Sequence, residues 1–153
     1  MAIYLVQHGA ALSKDKDPEK GLSPEGISNV KRIAGVAEGY KVKVSVINHS
    51  GKKRALQTAN IFADHLTPER KTVEHSGLNP LDDVVCFANS IRNDNTMYVG
   101  HLPFMEKLVS WLITGSINRP VFKFQNGGIV CMDLEQETNN WIIKWTLMPN
   151  IGS

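Results

Sequence analysis

The sequence predicts an α/β fold of three layers, in which a central, mostly parallel sheet is covered by helices on both faces. Strand-like apolar runs alternate with segments whose apolar residues recur at helical spacing, as in parallel βαβ units. Near the C-terminus two strand-like runs follow one another directly, which predicts an antiparallel hairpin. With 153 residues the chain is long enough to bury a core, and we expect one domain over residues 1–153.

The first half of the chain is predicted to hold three short strands and two helices. Ser23 can act as an N-cap, Pro24 fits the first helical position, and Gly39 can end the helix. In order, the segments are a strand at residues 2–7, a polar loop at 10–21, a helix with Ile27, Val30, Ala34 and Ala37 facing inward, a strand at 42–48, a helix with Ala55, Ala59, Phe62 and Leu66 inward that ends before Pro68, and a strand at 72–74.

The second half is predicted to hold two more helices and three more strands. Pro80 is expected to open the first of these helices, and Pro103 lies in the first turn of the second, which Gly115 ends. In order, the segments are a helix with Val84, Phe87, Ala88 and Ile91 inward, a turn at 93–95, a strand at 96–99, a helix with Leu102, Met105, Leu108, Val109 and Leu112 inward, and strands at 128–134 and 141–147 joined by 135–140.

The composition is that of a soluble globular protein, with 42% apolar and 21% charged residues. The net charge is +2 and no basic stripe is interleaved with aromatic residues, which argues against a nucleic-acid surface. No segment approaches the ~20 apolar residues of a membrane span. The N-terminus lacks a charged region followed by an apolar one, so we expect a cytoplasmic location.

The two cysteines, Cys86 and Cys131, are far apart in the sequence and neither belongs to a Cys-x-x-Cys pair. This pattern favours small buried side chains in a reducing compartment over a disulfide or a redox site.

Polar residues follow three of the predicted strands at the point where each strand ends. His8 follows the first strand, the segment from Asn48 to Arg54 follows the second, and His101 follows the strand at 96–99. Because ligands of α/β folds bind outside the carboxyl ends of the strands, we expect these side chains to share one pocket. A neutral imidazole is a nucleophile and a guanidinium matches phosphate geometry, so the set indicates phosphoryl transfer through a histidine.

These residues lie in four ordered motifs that resemble the histidine phosphatase superfamily, most of all its small SixA-type phosphohistidine phosphatases. The resemblance covers nearly the whole chain and implies the same fold. It also implies a metal-independent phosphatase without a cofactor, acting in signal transduction on a phosphohistidine protein or a small phosphorylated substrate, with no nucleic-acid or membrane partner. The motifs are Leu-Val-Gln-His-Gly at 5–9, Leu-Ser-Pro-Glu-Gly at 22–26, Ser-Gly-Lys-Lys-Arg-Ala-Leu-Gln-Thr-Ala at 50–59 and Val-Gly-His-Leu-Pro at 99–103.

The resemblance also implies the roles of the site residues. His8 is the nucleophile that becomes transiently phosphorylated, and the phosphate pocket is formed by Gln7, His8, Arg54 and His101. A phosphoryl group spreads its charge over its oxygens, so such a site works by positioning and electrostatics.

Position 7 departs from the family, which usually has arginine there. Gln7 donates hydrogen bonds but brings no charge. A hydrogen bond to a charged group is worth roughly 1.5–3 kcal/mol, against about 1 for a neutral pair. Losing that difference in the transition state slows turnover by roughly tenfold, so we expect reduced activity unless Lys52 or Lys53 compensates.

A proton donor is not specified by the motifs. The family often places a carboxylic acid after the third strand, where the candidates here are Asp82 and Asp83, with Glu74 less favoured. Either aspartate could instead stabilise the first turn of a helix. Ala10 occupies a position next to the nucleophile triplet where the family usually has glutamate. An imidazole leaving group depends less on a strong acid than an alkoxide does.

Two alternatives from other functional classes remain open at this stage. With Gln7 in place of arginine, the site is also compatible with a module that binds phosphate or phosphohistidine with little turnover. His8, His49, His101 and an aspartate are also ligand types that zinc accepts, as in a metal hydrolase. Arg54 argues against the metal site, because it would repel the cation.

Overall fold

The structure is a computed structural model that describes residues 1–152. Within these residues six strands and four helices alternate along most of the chain. The elements are β1 (Ala2–Gln7), α1 (Pro24–Gly39), β2 (Val46–His49), α2 (Lys53–Leu66), β3 (Val73–Glu74), α3 (Val84–Ser90), β4 (Thr96–Gly100), α4 (Phe104–Thr114), β5 (Ile129–Leu134) and β6 (Trp141–Leu147).

All of these strands belong to one sheet, with the order β3-β2-β4-β1-β5-β6. β3, β2, β4 and β1 run parallel, whereas β5 pairs antiparallel with both β1 and β6. Gln7 of β1 lies opposite Gly100 of β4, and His49 of β2 lies opposite Val99 of β4. The carboxyl ends of β2, β4 and β1 therefore lie side by side, and the predicted fold class and C-terminal hairpin are confirmed.

Helices cover both faces of the sheet. Along β1, the side chains of Tyr4 and Val6 pack into the apolar layer under α1 and α2, while those of Ile3 and Leu5 pack under α3 and α4. This alternation follows from the two-residue period of a strand, and it explains why β1 has an almost wholly apolar sequence.

Helix α1 begins as predicted, with Ser23 as the N-cap and Pro24 at the start. Helix α1 has 16 residues and is amphipathic. No helix within residues 1–152 is long and apolar enough to cross a membrane. Three of the four residues expected to face inward are buried: Val30, Ala34 and Ala37. Ile27 is only partly buried, and Ile33, which was not predicted to face inward, is buried as well.

Strand β2 is shorter than the predicted strand at 42–48, because the backbone before Val46 bonds elsewhere. Val42 N donates to the Ala37 carbonyl at 3.1 Å, and Ser45 N donates to the Asn95 carbonyl at 2.8 Å. These bonds tie the segment to the end of α1 and to the turn before β4, so it pairs with no neighbouring strand.

Helix α3 begins at Val84, four residues after the predicted opening at Pro80. The side chain of Asp83 accepts a hydrogen bond from Cys86 N at 3.0 Å and is the N-cap. Asp82 N donates to the Asn79 carbonyl at 3.1 Å, so the residues around Pro80 form a separate turn.

The two cysteines are free thiols in different environments. Cys131 is buried in β5, as predicted. The prediction that Cys86 is buried is wrong, because α3 turns Val84 and Phe87 toward the core and leaves Cys86 exposed.

Gly26, in the first turn of α1, lies too close to the backbone of Ala10 to carry a side chain. A β-carbon there would collide with the Ala10 carbonyl oxygen, which also accepts from Ser23 N at 2.9 Å. We expect Gly26→Ala to lower the free energy of unfolding by roughly 1–3 kcal/mol in urea titrations. Gly35→Ala is the matched control in the same helix, since its β-carbon has nothing within 4 Å, and it should gain about 0.5–1 kcal/mol. Equal effects of the two substitutions would contradict this packing.

Candidate active site

His8 follows β1 directly, and its backbone continues the sheet ladder, because His8 N donates to the Gly100 carbonyl at 3.0 Å. The ring atom Nδ1 lies 2.7 Å from the carbonyl oxygen of Gly9. A carbonyl oxygen only accepts, so Nδ1 carries the proton. In the neutral ring, Nε2 is therefore unprotonated, and its lone pair can accept a hydrogen bond.

Arg54, the second residue of α2, places its guanidinium at that nitrogen. Arg54 Nε donates to His8 Nε2 at 3.3 Å. Thr58, one turn further along α2, donates through Oγ1 to the Arg54 carbonyl at 2.8 Å and accepts from Gly9 N at 2.9 Å. The fully buried Thr58 thus fastens the first turns of α2 to the chain just after His8.

The segment between β2 and α2 is a tight turn at residues 50–52. Gly51 has a left-handed φ of +91°, and its N–H donates to His49 Nδ1 at 3.1 Å. Within the described residues no side chain caps the N-terminus of α2, where Lys52 is the N-cap. A helix N-terminus without a cap attracts anions, and Arg54 lies in its first turn.

His101 follows β4, the strand between β1 and β2. Its ring centroid lies 4.9 Å from that of His8, and Nε2 lies 2.6 Å from Ser50 Oγ. The side chain is 1% exposed, and Nδ1 is buried without a hydrogen-bond partner among residues 1–152. The structure thus brings His8, Arg54 and His101 together at the carboxyl ends of β1, β2 and β4.

Both imidazoles are neutral at pH 7. Burial lowers the pKa of His8 to about 4, opposed by the Gly9 hydrogen bond and reinforced by the charges of Arg54 and Lys20. Burial also lowers the pKa of His101 to about 3, with smaller contributions from His8, Arg54 and Lys52. An anion between the two rings would raise both pKa values, since it stabilises the protonated forms.

Gln7 lies at the end of β1, and its main-chain carbonyl accepts from Gly127 N at 2.9 Å. Its side-chain Oε1 is buried and has no hydrogen-bond partner within residues 1–152. A buried amide oxygen without a partner is costly in a folded protein. Together with His101 Nδ1, it is one of two such atoms in the described chain, and both belong to adjacent strand ends of this site.

The carboxylates considered as proton donors take part in local structure. Asp82 Oδ2 accepts from Asn79 N at 2.9 Å, and Asp83 caps α3. Both line a separate cavity of about 570 Å³, which does not include His8, Arg54 or His101. Glu74 lies against Gly51 and raises the pKa of His49 by its charge, although burial makes that pKa low overall. A role in proton transfer stays a prediction for all three carboxylates.

The two lysines next to Arg54 differ in what they contact. Lys53 Nζ pairs with Asp17 Oδ2 at 2.8 Å, so its charge is already engaged by a carboxylate. Lys52 is exposed, and its charge contributes to the low pKa of His101.

The arrangement of histidines does not match the zinc-hydrolase alternative. His49 turns Nδ1 toward its own loop, where it accepts from Gly51 N. Within residues 1–152, no three histidine, cysteine, aspartate or glutamate side chains are grouped so as to hold a metal ion.

Two residues of the site lie outside the sequence predictions. Asn126 Nδ2 donates to the His8 carbonyl at 3.0 Å, although the two residues are 118 positions apart in the sequence. The periodicity of the sequence reports only local structure and therefore cannot predict such a contact. Thr58 carries a detectable signal, since it follows Arg54 by four residues in a helix and can bond to the carbonyl one turn back.

The fold of the whole chain is similar to those of several solved phosphatase structures. The chain superposes on the protein histidine phosphatase SixA complexed with tungstate with a TM-score of 0.79 and 24% identity, covering 97% of each chain. The phosphoserine phosphatase of Entamoeba histolytica, complexed with 3-phosphoglyceric acid, gives a TM-score of 0.68 and 14% identity, covering 95% of each chain.

A mycobacterial glucosyl-3-phosphoglycerate phosphatase, complexed with VO3, gives a TM-score of 0.70 and 13% identity, covering 94% of this chain and 97% of that one. The chain has the histidine phosphatase fold. No protein-family model and no curated protein sequence matches the chain. At these identities the likeness concerns the fold, and the function is argued from the site.

Because His101 is buried in its neutral form, we expect the free energy of unfolding to fall at acid pH. The folded pKa of His101 lies below its unfolded value of 6.5, so the unfolded chain binds the proton first as the pH falls. His101 does not lower the free energy of unfolding above pH 6.5, where both states hold it neutral. Below that pH the free energy of unfolding falls until the folded pKa of His101 is reached, by about 2 kcal/mol from this group between pH 6.5 and 4.5. Urea unfolding at both pH values should show His101→Gln to be less acid-sensitive than the wild type. An unchanged pH dependence would contradict the buried neutral state.

Proposed function

We propose that this protein is a phosphatase that transfers a phosphoryl group from phosphohistidine, or from a small phosphoester, to Nε2 of His8 and then to water. One observation carries the proposal: Nδ1 of His8 is committed to the Gly9 carbonyl, so the nitrogen beside Arg54 is the unprotonated one. The burial that lowers the pKa of His8 to about 4 keeps this nitrogen unprotonated at neutral pH.

The reaction has two steps. The Nε2 lone pair attacks phosphorus, the bond between phosphorus and the leaving nitrogen or oxygen breaks, and the leaving group takes up a proton. Water then attacks phospho-His8, loses a proton, and releases inorganic phosphate with the neutral imidazole restored. Arg54, His101, Gln7 and the uncapped N-terminus of α2 bind the phosphoryl oxygens in both steps, and none of these steps uses a metal.

A phosphohistidine substrate suits a site in which no carboxylate of residues 1–152 forms a hydrogen bond with His8. An imidazole leaves more easily than an alkoxide and depends less on a proton donor. Asp82 and Asp83 are engaged in local hydrogen bonds, so an acid-independent leaving group fits the site better than a sugar or serine phosphate. The substrate proposed on this ground is a phosphohistidine-bearing protein, consistent with a role in signal transduction inside the cytoplasm.

A second candidate is a binding module that holds the phosphoryl group with little turnover. It is favoured by one feature, the uncharged Gln7 with a buried, unpartnered Oε1. Under this candidate, phosphate or phosphohistidine binds among the same residues, but transition-state charge is stabilised less. The two candidates differ in turnover and not in ligand.

The central experiment follows the phosphoryl group. Rapid-quench mass spectrometry of the protein mixed with a phosphohistidine protein should find an acid-labile, base-stable phosphoryl adduct on His8, followed by multiple turnovers. His8→Ala should reduce hydrolysis by roughly 10³-fold or more, because no other group in the site replaces the nucleophile. A sugar phosphate and an aryl phosphate, tested in parallel, report the substrate class.

His65→Ala is the matched control, since His65 lies on α2 and pairs with Glu38 at 2.8 Å away from the site. It should retain wild-type activity. Full activity of a folded His8→Ala protein would refute the nucleophile assignment, while binding without any adduct or release of phosphate would favour the binding module.

A further inference from the structure

The hydroxyl of Ser50, in the turn between β2 and α2, contacts the buried histidine of the site. Ser50 Oγ lies 2.6 Å from His101 Nε2. The same oxygen accepts a weaker hydrogen bond from Lys52 N at 3.4 Å, as in turns where a serine bonds to the backbone two residues on. The ring of His101 lies 4.9 Å from that of His8, centroid to centroid, so Ser50 belongs to the same cluster of side chains.

The contacts of His101 favour one of its two neutral tautomers. The side chain is 1% exposed, and Nδ1 has no hydrogen-bond partner among residues 1–152. A proton on Nδ1 would therefore be a buried N–H donor without an acceptor, and in protein backbones such donors are rarer than acceptors without a donor. A proton on Nε2 is instead donated to Ser50 Oγ. The neutral ring is therefore expected to carry its proton on Nε2.

With His101 in this tautomer, the hydroxyl proton of Ser50 has no acceptor in the described chain. A serine hydroxyl has one proton to donate and two lone pairs that accept. The lone pairs accept from His101 Nε2 and from Lys52 N, and no other atom of residues 1–152 contacts the hydroxyl. Ser50 is only half-buried, so a ligand can reach this proton. A phosphoryl oxygen bound beside the two imidazoles supplies the missing acceptor.

We propose that Ser50 is a further residue of the phosphoryl site, which holds the proton of His101 on Nε2 and donates its own hydroxyl proton to a phosphoryl oxygen. The proposal rests on the proposed function, because it takes the ligand to be a phosphoryl group beside His8. The two neighbouring imidazoles then hold opposite tautomers. His8 offers a lone pair to phosphorus, whereas His101 is a hydrogen-bond donor in its neutral form and needs no additional proton.

The first test compares Ser50→Ala with Ser90→Ala in the full-length protein. Ser90 is the matched control, because its hydroxyl donates to the Phe87 carbonyl at 2.7 Å within α3 and contacts neither imidazole. Orthovanadate binding, measured by calorimetry, should weaken by roughly tenfold in Ser50→Ala, as expected for loss of a hydrogen bond to a charged group, and by less than about twofold in Ser90→Ala. Ser50→Thr keeps the hydroxyl and should retain most of the affinity.

The second test measures the tautomer of His101, which a merely structural role of Ser50 would not change. Long-range proton–nitrogen NMR spectra of ¹⁵N-histidine-labelled protein, recorded without ligand near pH 7, report the protonated nitrogen, and His101→Gln identifies the resonance. The wild type and Ser90→Ala should carry the proton on Nε2. In Ser50→Ala the fraction with the proton on Nδ1 should increase, because the acceptor that favours Nε2 is gone.

Three results would overturn the proposal: a proton on Nδ1 of His101 in the wild type, equal vanadate affinities of Ser50→Ala and Ser90→Ala, or no binding of vanadate to the wild type. Failure of the proposed function gives a different result. Vanadate binding that depends on Ser50, with the expected tautomer of His101 but without phosphatase turnover, would support the role of Ser50 and refute the enzyme.

Discussion

The hydrogen bond from Nδ1 of His8 to the carbonyl of Gly9 decides what the site can do. It commits the ring proton to the side of the imidazole that faces the backbone, and so leaves Nε2 unprotonated beside Arg54. Without it, the proton could occupy Nε2, and a buried imidazole with that proton would be a donor and not a nucleophile. The low dielectric surroundings that depress the pKa of His8 act in the same direction, since they exclude the doubly protonated ring.

This hydrogen bond depends on a backbone that is held from several sides. Thr58 fixes Gly9 N from α2, and Asn126 binds the His8 carbonyl from the turn before β5. His8 N donates to the Gly100 carbonyl, which links His8 to the last residue of β4, directly before His101. Contacts from α2, from the sheet and from the turn before β5 thus meet at His8 and Gly9. The parallel strands β1 and β4, which also build the core, set the distance between the imidazoles of His8 and His101.

The sequence was sufficient for the features that follow from local patterns. Strand β1 and the N-cap of α1 were predictable because apolar period and capping chemistry are local, and the common sheet edge followed from the parallel topology. The start of β2 was not predictable, because the bonds of Val42 and Ser45 to the end of α1 and to a distant turn replace strand pairing. The contacts of Asn126 and of Ser50 with the histidines likewise require the folded chain, since they join residues far apart in sequence.

The tautomer of His8 is the most direct measure of this account. Long-range proton–nitrogen NMR spectra of protein labelled with ¹⁵N-histidine, recorded near pH 7, distinguish the two neutral tautomers and the protonated ring, and the His8→Gln protein identifies the resonance. We expect a neutral ring with the proton on Nδ1, whose signal is perturbed when orthovanadate is added. A proton on Nε2, or a doubly protonated ring at this pH, would contradict the account.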